Sequence, residues 1–304
     1  MMEIIKELVR SSEQTSTALG YFDGVHIGHR AVIKEAVKYA ENNGLVPAVF
    51  TLQQSPRLVL LGEAPKNIMP LENKLAEFEA LGVERVYLID FREIRHMDAE
   101  TFVRDILIGC FNARHAGCGF NYHFGSGALG NGVILGTLCR KYGITETTQP
   151  QLCYGDKPVS STRIRKSIAQ GDISSANAML GRKYGFSLPV IHGRRLGHEL
   201  GFPTLNQEFP EGLVMPPFGV YSAEVEVDGK IYKGVSNIGI KPTVGSDKVL
   251  IETWMPDYSG RELYGEILKI SFDSFVRPER KFNSLDELKK AINQDRETVI
   301  NNKE

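Results

Sequence analysis

Residues 16–44 read STALGYFDGVHIGHRAVIKEAVKYAENNG, and this stretch decides the first half of the chain. STAL is a short apolar run of strand character. RAVIKEAVKYAENNG carries a 3-4 apolar pattern closed by Gly44, as an amphipathic helix with a C-terminal stop does. The turn between them holds Gly20, Phe22, Gly24 and Gly28, with His26 and His29 three residues apart. A helix starting here puts both imidazoles on one face near its N-terminus. Free backbone N–H groups and the helix dipole favour phosphate at that end. Gly28 removes a side chain where a phosphate approaches the backbone. Two imidazole donors there suit negative charge developing on an α-phosphate and its leaving pyrophosphate. Zinc is a weaker reading, because paired helical zinc histidines stand four apart with a Glu between them. A surface histidine pair is the plain alternative, and the surrounding Gly-x-Phe-Asp-Gly-Val favours function over it.

Outward from this unit the alternation continues. LVPAVFTL, VERVYLID, RHAGCGF and Ile144–Gln149 read as strands; LENKLAEFEALG, DAETFVRDILIG and GNGVILGTLCRKYG read as helices. Such β-α-β order predicts a parallel, Rossmann-like sheet covered by helices. The texture changes near Gly181–Ser187. GVYSAEVEVDGKIYKGVSNIG predicts two strands about Asp228-Gly229. VLIETW and LYGEILKISF supply further strands, and SLDELKKAINQDRETVI a final helix opened by a Ser284/Glu287 capping box. The expected second domain is a small antiparallel β-barrel with one terminal helix. The expected boundaries are 1–184 and 185–304.

With 304 residues the chain exceeds a usual single core, which agrees with two domains. Its 36 basic and 37 acidic residues leave no electrostatic footprint for nucleic acid or an anionic membrane. No apolar run reaches a membrane span and the N-terminal residues lack a signal-peptide core. Cys110, Cys118, Cys139 and Cys153 are irregularly spaced and read as reduced thiols of a cytoplasmic protein. A homo-oligomer is compatible with this composition.

Three further stretches carry chemistry. In STRIRKS, Ser161, Thr162 and Arg163 at a helix start can cap the helix or hold phosphate oxygens, with an ordinary cap and solvated basic face as an equal alternative. GFNYHFGSGALGN, containing Asn121, is Gly-rich after a strand and suits a loop over a ligand, a weak signal alone. In LGFPTLN, alternation points Thr204 and Asn206 to one face and Leu205 to the core. A hydroxyl and an amide oxygen there suit Mg²⁺ shared with ATP phosphates. Gly193, Gly197 and Gly201 upstream fit a loop over those phosphates, which is not a Walker A loop. Glu252 is a lone acid within VLIETW; in the company of Thr204 and Asn206 it is a general-base candidate rather than a solvent-facing strand residue.

Taken together, GYFDGVHIGH, STRIR, LGRKYG, HGRRLGHELGFPTLN, PPFGVY, GVSNIGIKPTVG, IETW with LYG, and SFVRPERKF closely resemble the prokaryotic bifunctional riboflavin kinase/FAD synthetases over nearly the whole chain. The resemblance implies an N-terminal adenylyltransferase domain of the HxGH nucleotidyltransferase superfamily and a C-terminal β-barrel flavokinase domain. It also implies phosphorylation of riboflavin by ATP to FMN, then adenylylation of FMN to FAD with release of pyrophosphate. By position, His26, His29, Ser161, Thr162 and Arg163 would meet ATP in the first domain. Thr204 and Asn206 would serve Mg-ATP, and Glu252 would be the base on the ribityl 5′-hydroxyl. Leu205 stands where the family has Ala. Thr51-Leu52-Gln53-Gln54-Ser55-Pro56 lacks the family's His, and Asn121-Tyr122-His123-Phe124-Gly125 with SGALGN lacks its basic residues and acid. Two alternatives stand beside it: a kinase with a degenerate first domain, and a flavin- or nucleotide-sensing regulatory protein, which the near-neutral charge disfavours.

Overall fold

The computed structural model describes residues 2–193, 201–243 and 246–301. The chain divides into two compact units: residues 1–66 with 71–161, and residues 67–70 with 162–304.

In the first unit a six-stranded parallel sheet has the order β1-β4-β3-β2-β5-β8. Its strands are β1 (Glu3–Ile5), β2 (Thr15–Leu19), β3 (Val46–Leu52), β4 (Arg85–Ile89), β5 (Ala113–Gly119) and β8 (Thr145–Gln149). Two short strands, β6 (His123–Phe124) and β7 (Gly130–Asn131), pair after β5, and β9 (Cys153–Tyr154) pairs with β10 (Lys157–Pro158). The connecting helices are α1 (Ile27–Asn43), α2 (Pro56–Leu61), α3 (Leu71–Ala80), α4 (Phe91–Ile94), α5 (Ala99–Thr101), which runs into a π-helical stretch to Cys110, and α6 (Gly132–Lys141). β2 and β4 are buried at every position, as the inner strands of a doubly covered sheet must be. Gly44 ends α1 at φ 64°, its N–H returning to the Ala40 carbonyl. β1 and α2 escape periodicity reading because they span only three and six residues.

The strand order reverses at β2. β3 and β4 lie to one side of it, and β5 and β8 to the other. Ligands of open α/β sheets bind outside the carboxyl ends of the strands at such a point. The GYFDGVHIGH turn leaves β2 there, and the FNYHFG stretch leaves β5.

The second unit contains α7 (Ser161–Ala169, from Thr162 on) and α8 (Ile173–Leu180), followed by a closed six-stranded barrel in the order β11-β12-β15-β14-β13-β16. The barrel strands are β11 (Tyr184–Ile191), β12 (Thr204–Glu208), β13 (Gly219–Val227), β14 (Lys230–Thr243), β15 (Ser246–Trp254) and β16 (Ile267–Pro278). Every pairing is antiparallel. Asp228 and Gly229 turn the expected hairpin at φ 50° and 75°, the two left-handed positions of a type I′ turn. LYGEILKISF is only partly a strand: β16 begins at Ile267, because Gly265 at φ 79° turns the chain just before it. The last helix, α9 (Leu285–Asn301), starts at the expected capping box. The Ser284 hydroxyl accepts from Glu287 N at 3.2 Å, while the Glu287 carboxylate accepts from Asn283 N rather than from Ser284 N. α8 braces the barrel, with Asn177 donating to the Phe272 carbonyl and accepting from Tyr184 N.

Candidate functional site

Each unit holds one site. In the sheet unit the turn after β2 carries left-handed backbone at Phe22 (φ 55°), Gly24 (81°) and Val25 (40°). For a residue with a Cβ this conformation costs about 1–2 kcal/mol. Burial compensates it: Phe22 is 3% exposed and packs edge-on against His29 and Phe78. A Cβ on Gly20 would stand 2.8 Å from the Phe22 ring, so Gly20 and Phe22 are needed together for the turn to close. The turn delivers His26 to the N-cap of α1, where its Nδ1 accepts from His29 N at 3.3 Å. The two imidazoles stack at 3.5 Å, 18° apart, as the three-residue spacing predicts. Gly28 makes room for this, since a Cβ there would meet the His26 ring at 3.2 Å.

His29 is held well below its ordinary pKa, first by burial, then by His26 and Lys74. It is therefore a neutral imidazole, and its Nδ1 is buried without a hydrogen-bond partner. A neutral ring donates through one nitrogen only. Ser161, the first residue of α7, donates its hydroxyl to the Asp23 carbonyl at 2.8 Å, so it ties down the turn instead of only capping its own helix. Thr162 is exposed and Arg163 half-buried on α7. Asn121 is exposed between β5 and β6, its carbonyl bonded to the His123 ring at 3.0 Å. SGALGN forms a one-turn 3₁₀ helix, Ser126–Ala128, in which Gly127 is left-handed, and leaves Leu129 78% exposed.

Sequence reading passed over Lys74. It lies on the apolar face of α3 with Leu71, Leu75 and Phe78, and a lysine on such a stripe was the available signal. Its ammonium is buried, donating to the Tyr21 carbonyl at 3.3 Å and Thr51 Oγ1 at 3.4 Å.

In the barrel unit one rung of backbone pairing runs around the wall: Asn206 opposite Glu252, Glu252 opposite Asn237, Asn237 opposite Val220, and Val220 opposite Arg277. Register partners share a face. Ile251 and Thr253 are fully buried inside the barrel, so Glu252 and Trp254 lie on its outer face. Leu205 is buried, as expected, between Thr204 and Asn206. Against that face lies a cavity of about 600 Å³, lined among others by Thr204, Asn237, Glu252, Trp254, Arg277 and Ile292 of α9. Its apolar floor continues into a cluster in which Val299 of α9 packs with Val220, Val235 and Trp254. Arg277 makes a bidentate pair with the buried Asp295 of α9 at 2.8 and 2.7 Å. Asn237 donates to Glu279 at 3.0 Å. Asn237, Arg277 and Asp295 were not singled out in the sequence because only register and the returning helix bring them to Glu252.

Asn206 donates its amide nitrogen to the Thr204 carbonyl at 3.4 Å. A Cβ on Gly193 would stand 2.8 Å from Asn206 Cγ and 3.0 Å from its Oδ1, and closer still to its Nδ2, so the missing side chain makes room for the Asn206 amide. The donors are hard oxygens, a set that fits Mg²⁺. Gly201 is left-handed at φ 87°; Gly197 lies outside the described residues.

Comparison with known proteins follows the same division. A FAD synthetase family model matches residues 8–163, through both departing stretches, and a riboflavin kinase model matches residues 180–302. A Bacillus subtilis protein named bifunctional riboflavin kinase/FMN adenylyltransferase is 38% identical over 301 residues, covering 96% of this chain and 94% of its own. The Haemophilus influenzae protein of the same name is 32% identical and covers 98% of each. Among solved structures, a Streptococcus pneumoniae chain titled a macrolide-efflux protein gives a TM-score of 0.88 at 27% identity, covering 99% of both chains. No helix among the described residues here is long and apolar enough to cross a membrane. With both catalytic modules matched in order and relatives aligned along almost their full length, the chain belongs to the family of bifunctional riboflavin kinase/FMN adenylyltransferases.

Proposed function

We propose that the rung Asn206–Glu252–Asn237 on the barrel's outer wall phosphorylates riboflavin, and that the stacked His26/His29 pair at the sheet's switch point adenylylates the FMN produced. The chain is thus a transferase with two ATP-dependent steps, riboflavin to FMN and FMN to FAD. The single observation that carries the residue reading is the register that sets Glu252 between two amides beside an apolar-floored cavity.

In the kinase step the flavin ring lies on the floor of Val220, Val235 and Trp254, and Glu252 accepts the proton of the 5′-hydroxyl as its oxygen attacks the γ-phosphorus of ATP and ADP leaves. Thr204 and Asn206 would hold Mg²⁺, which when bound would neutralise charge on the ATP phosphates. In the adenylyl step an FMN phosphate oxygen attacks the α-phosphorus, and pyrophosphate leaves. His29, a neutral imidazole, and His26 stacked on it at the N-terminus of α1 bond the oxygens on which charge develops. Ser161, Asn121 and the glycines of the turn line the nucleotide; Gly193 and Gly201 admit it in the kinase site.

We assign adenylyl transfer to residues 1–184 and the kinase to 185–304, with α8 a brace that a kinase fragment needs. The four free thiols support a cytoplasmic location. The partners are riboflavin, FMN, FAD and ATP, without nucleic acid or membrane.

The metal assignment is tested by Thr204→Ala and Asn206→Ala. Each should raise the Mg²⁺ concentration for half-maximal FMN formation roughly tenfold or more, the loss expected for one oxygen ligand. The KM for riboflavin should stay within about twofold, because neither side chain meets the ring. Unchanged Mg²⁺ and ATP dependence would make both residues structural.

A further inference from the structure

We propose that Lys74 is a positioning residue for adenylyl transfer: its buried ammonium fastens the Tyr21 carbonyl and thereby holds the histidine-bearing turn in its productive shape. The proposal rests on the reading of His26 and His29 given above.

Lys74 is 6% exposed, on the face of α3 turned to the β2–α1 turn. Its ammonium donates to the Tyr21 carbonyl and to Thr51 Oγ1, and lies 4.9 Å over the Tyr21 ring. The Thr51 hydroxyl donates to the same carbonyl at 2.9 Å. Two donors from β3 and α3 thus converge on the peptide that precedes Phe22, the first left-handed residue of the turn. Such backbone persists only where its surroundings over-determine it. Ser161 does the same further along, at the Asp23 carbonyl. The turn is clamped at both ends, and His26 and His29 follow directly.

The charge matters as well as the bond. The groups around Lys74 are Asp23 and Tyr21 on the turn, Thr51 on β3, and His29 on α1. Arg30 of α1 pairs with Glu77 of α3 at 2.7 Å. Burial lowers the Lys74 pKa to about 8, and Asp23 opposes that fall. The ammonium also disfavours a proton on His29. One cation therefore fixes the carbonyl and adds to the burial that keeps His29 neutral. Below about pH 8 it is charged and the clamp is made; above, the amine is neutral and the clamp weakens.

The test uses the full chain and two assays: FAD formation from FMN and ATP, and FMN formation from riboflavin and ATP. In the wild type, kcat/KM for ATP in FAD formation should fall along an alkaline limb near pH 8, a limb that FMN formation lacks. Lys74→Met should lower FAD formation by about 10²-fold at pH 7, the effect of a misplaced reacting group, and flatten that limb. Lys74→Arg, charged throughout, should move the limb upward. FMN formation should be unchanged in both variants. A wild-type profile flat from pH 7 to 9.5, or Lys74→Met with normal FAD formation, overturns the proposal; the wild-type profile decides even where Lys74→Met does not fold. His29→Ala separates the two readings. If it leaves FAD formation intact, the histidine assignment has failed. If it abolishes FAD formation while the Lys74 variants and the profile are normal, only the lysine inference has.

Discussion

The two sites are built in opposite ways. In the sheet unit the working groups come from one short run of sequence: β2 ends, the chain turns through strained backbone, and α1 begins with His26 and His29 stacked at 3.5 Å. In the barrel unit Thr204, Asn237, Glu252, Arg277 and Asp295 come from four strands and a terminal helix, and no two of them are neighbours in sequence. The first site is a buried turn in which desolvation holds His29 well below its ordinary pKa. The second is a polar rung on an outer wall closed by α9. A local site is limited by the backbone strain it must hold, whereas a distributed one is limited by register: a slip of one residue would turn Glu252 into the barrel interior.

The sharpest way to break the comparison is to disable each site and look for leakage into the other. Glu252→Gln should lower FMN formation by about 10²–10⁴-fold, the usual contribution of a general base. FAD formation from supplied FMN should persist. His29→Ala should do the reverse, lowering FAD formation by about 10²–10³-fold with FMN formation intact. Chromatographic separation of FMN and FAD from one incubation reads both. Near wild-type FMN turnover in Glu252→Gln would return that residue to an ordinary strand carboxylate.

A smaller effect sharpens the difference in burial. His115 lies in the sheet core, bonded to Ser16 and Thr147 and stacked on Tyr39, and burial lowers its pKa to about 4. Between about pH 4 and 6.5 the unfolded chain binds the extra proton and the folded one does not, so stability rises with pH through that window and is complete above it. Acidification across it should therefore remove up to about 3 kcal/mol from the sheet unit. His115→Gln should flatten the dependence in melts recorded from pH 4 to 7. An unaltered slope would assign it to other groups.

The smallest expected effect concerns the barrel hairpin, far from Glu252 in sequence. Gly229→Ala places a Cβ at φ 75° with open space around it. It should lower stability by about 1 kcal/mol, the left-handed penalty alone. Both activities should be unchanged; a loss of kinase activity would mean that the hairpin sets the register at Glu252.

The departing stretches offered the weaker guide. Missing charges in TLQQSP and SGALGN pointed toward a degenerate first domain, yet the family match runs through both, and the clamped turn and stacked histidines stand at the switch point. Charge in an exposed loop is a poorer signal than the residues that fix a buried turn, because loops tolerate change that a packed turn does not.

Sequence by itself determined what depends on neighbours along the chain. Three-four periodicity closed by Gly44 gave α1, the Asp228-Gly229 pair gave the barrel hairpin, and His-x-Gly-His gave the stacked imidazoles, since each is set by dihedral preference or helical spacing. The tertiary structure alone decided what depends on partners across space. It brought Lys74 from α3 to the Tyr21 carbonyl, set Asn237 and Arg277 on the rung of Glu252, and made Asp295 of α9 the partner of Arg277. Those contacts follow from strand register and helix docking, which are fixed by the burial of whole faces rather than by any local run of residues.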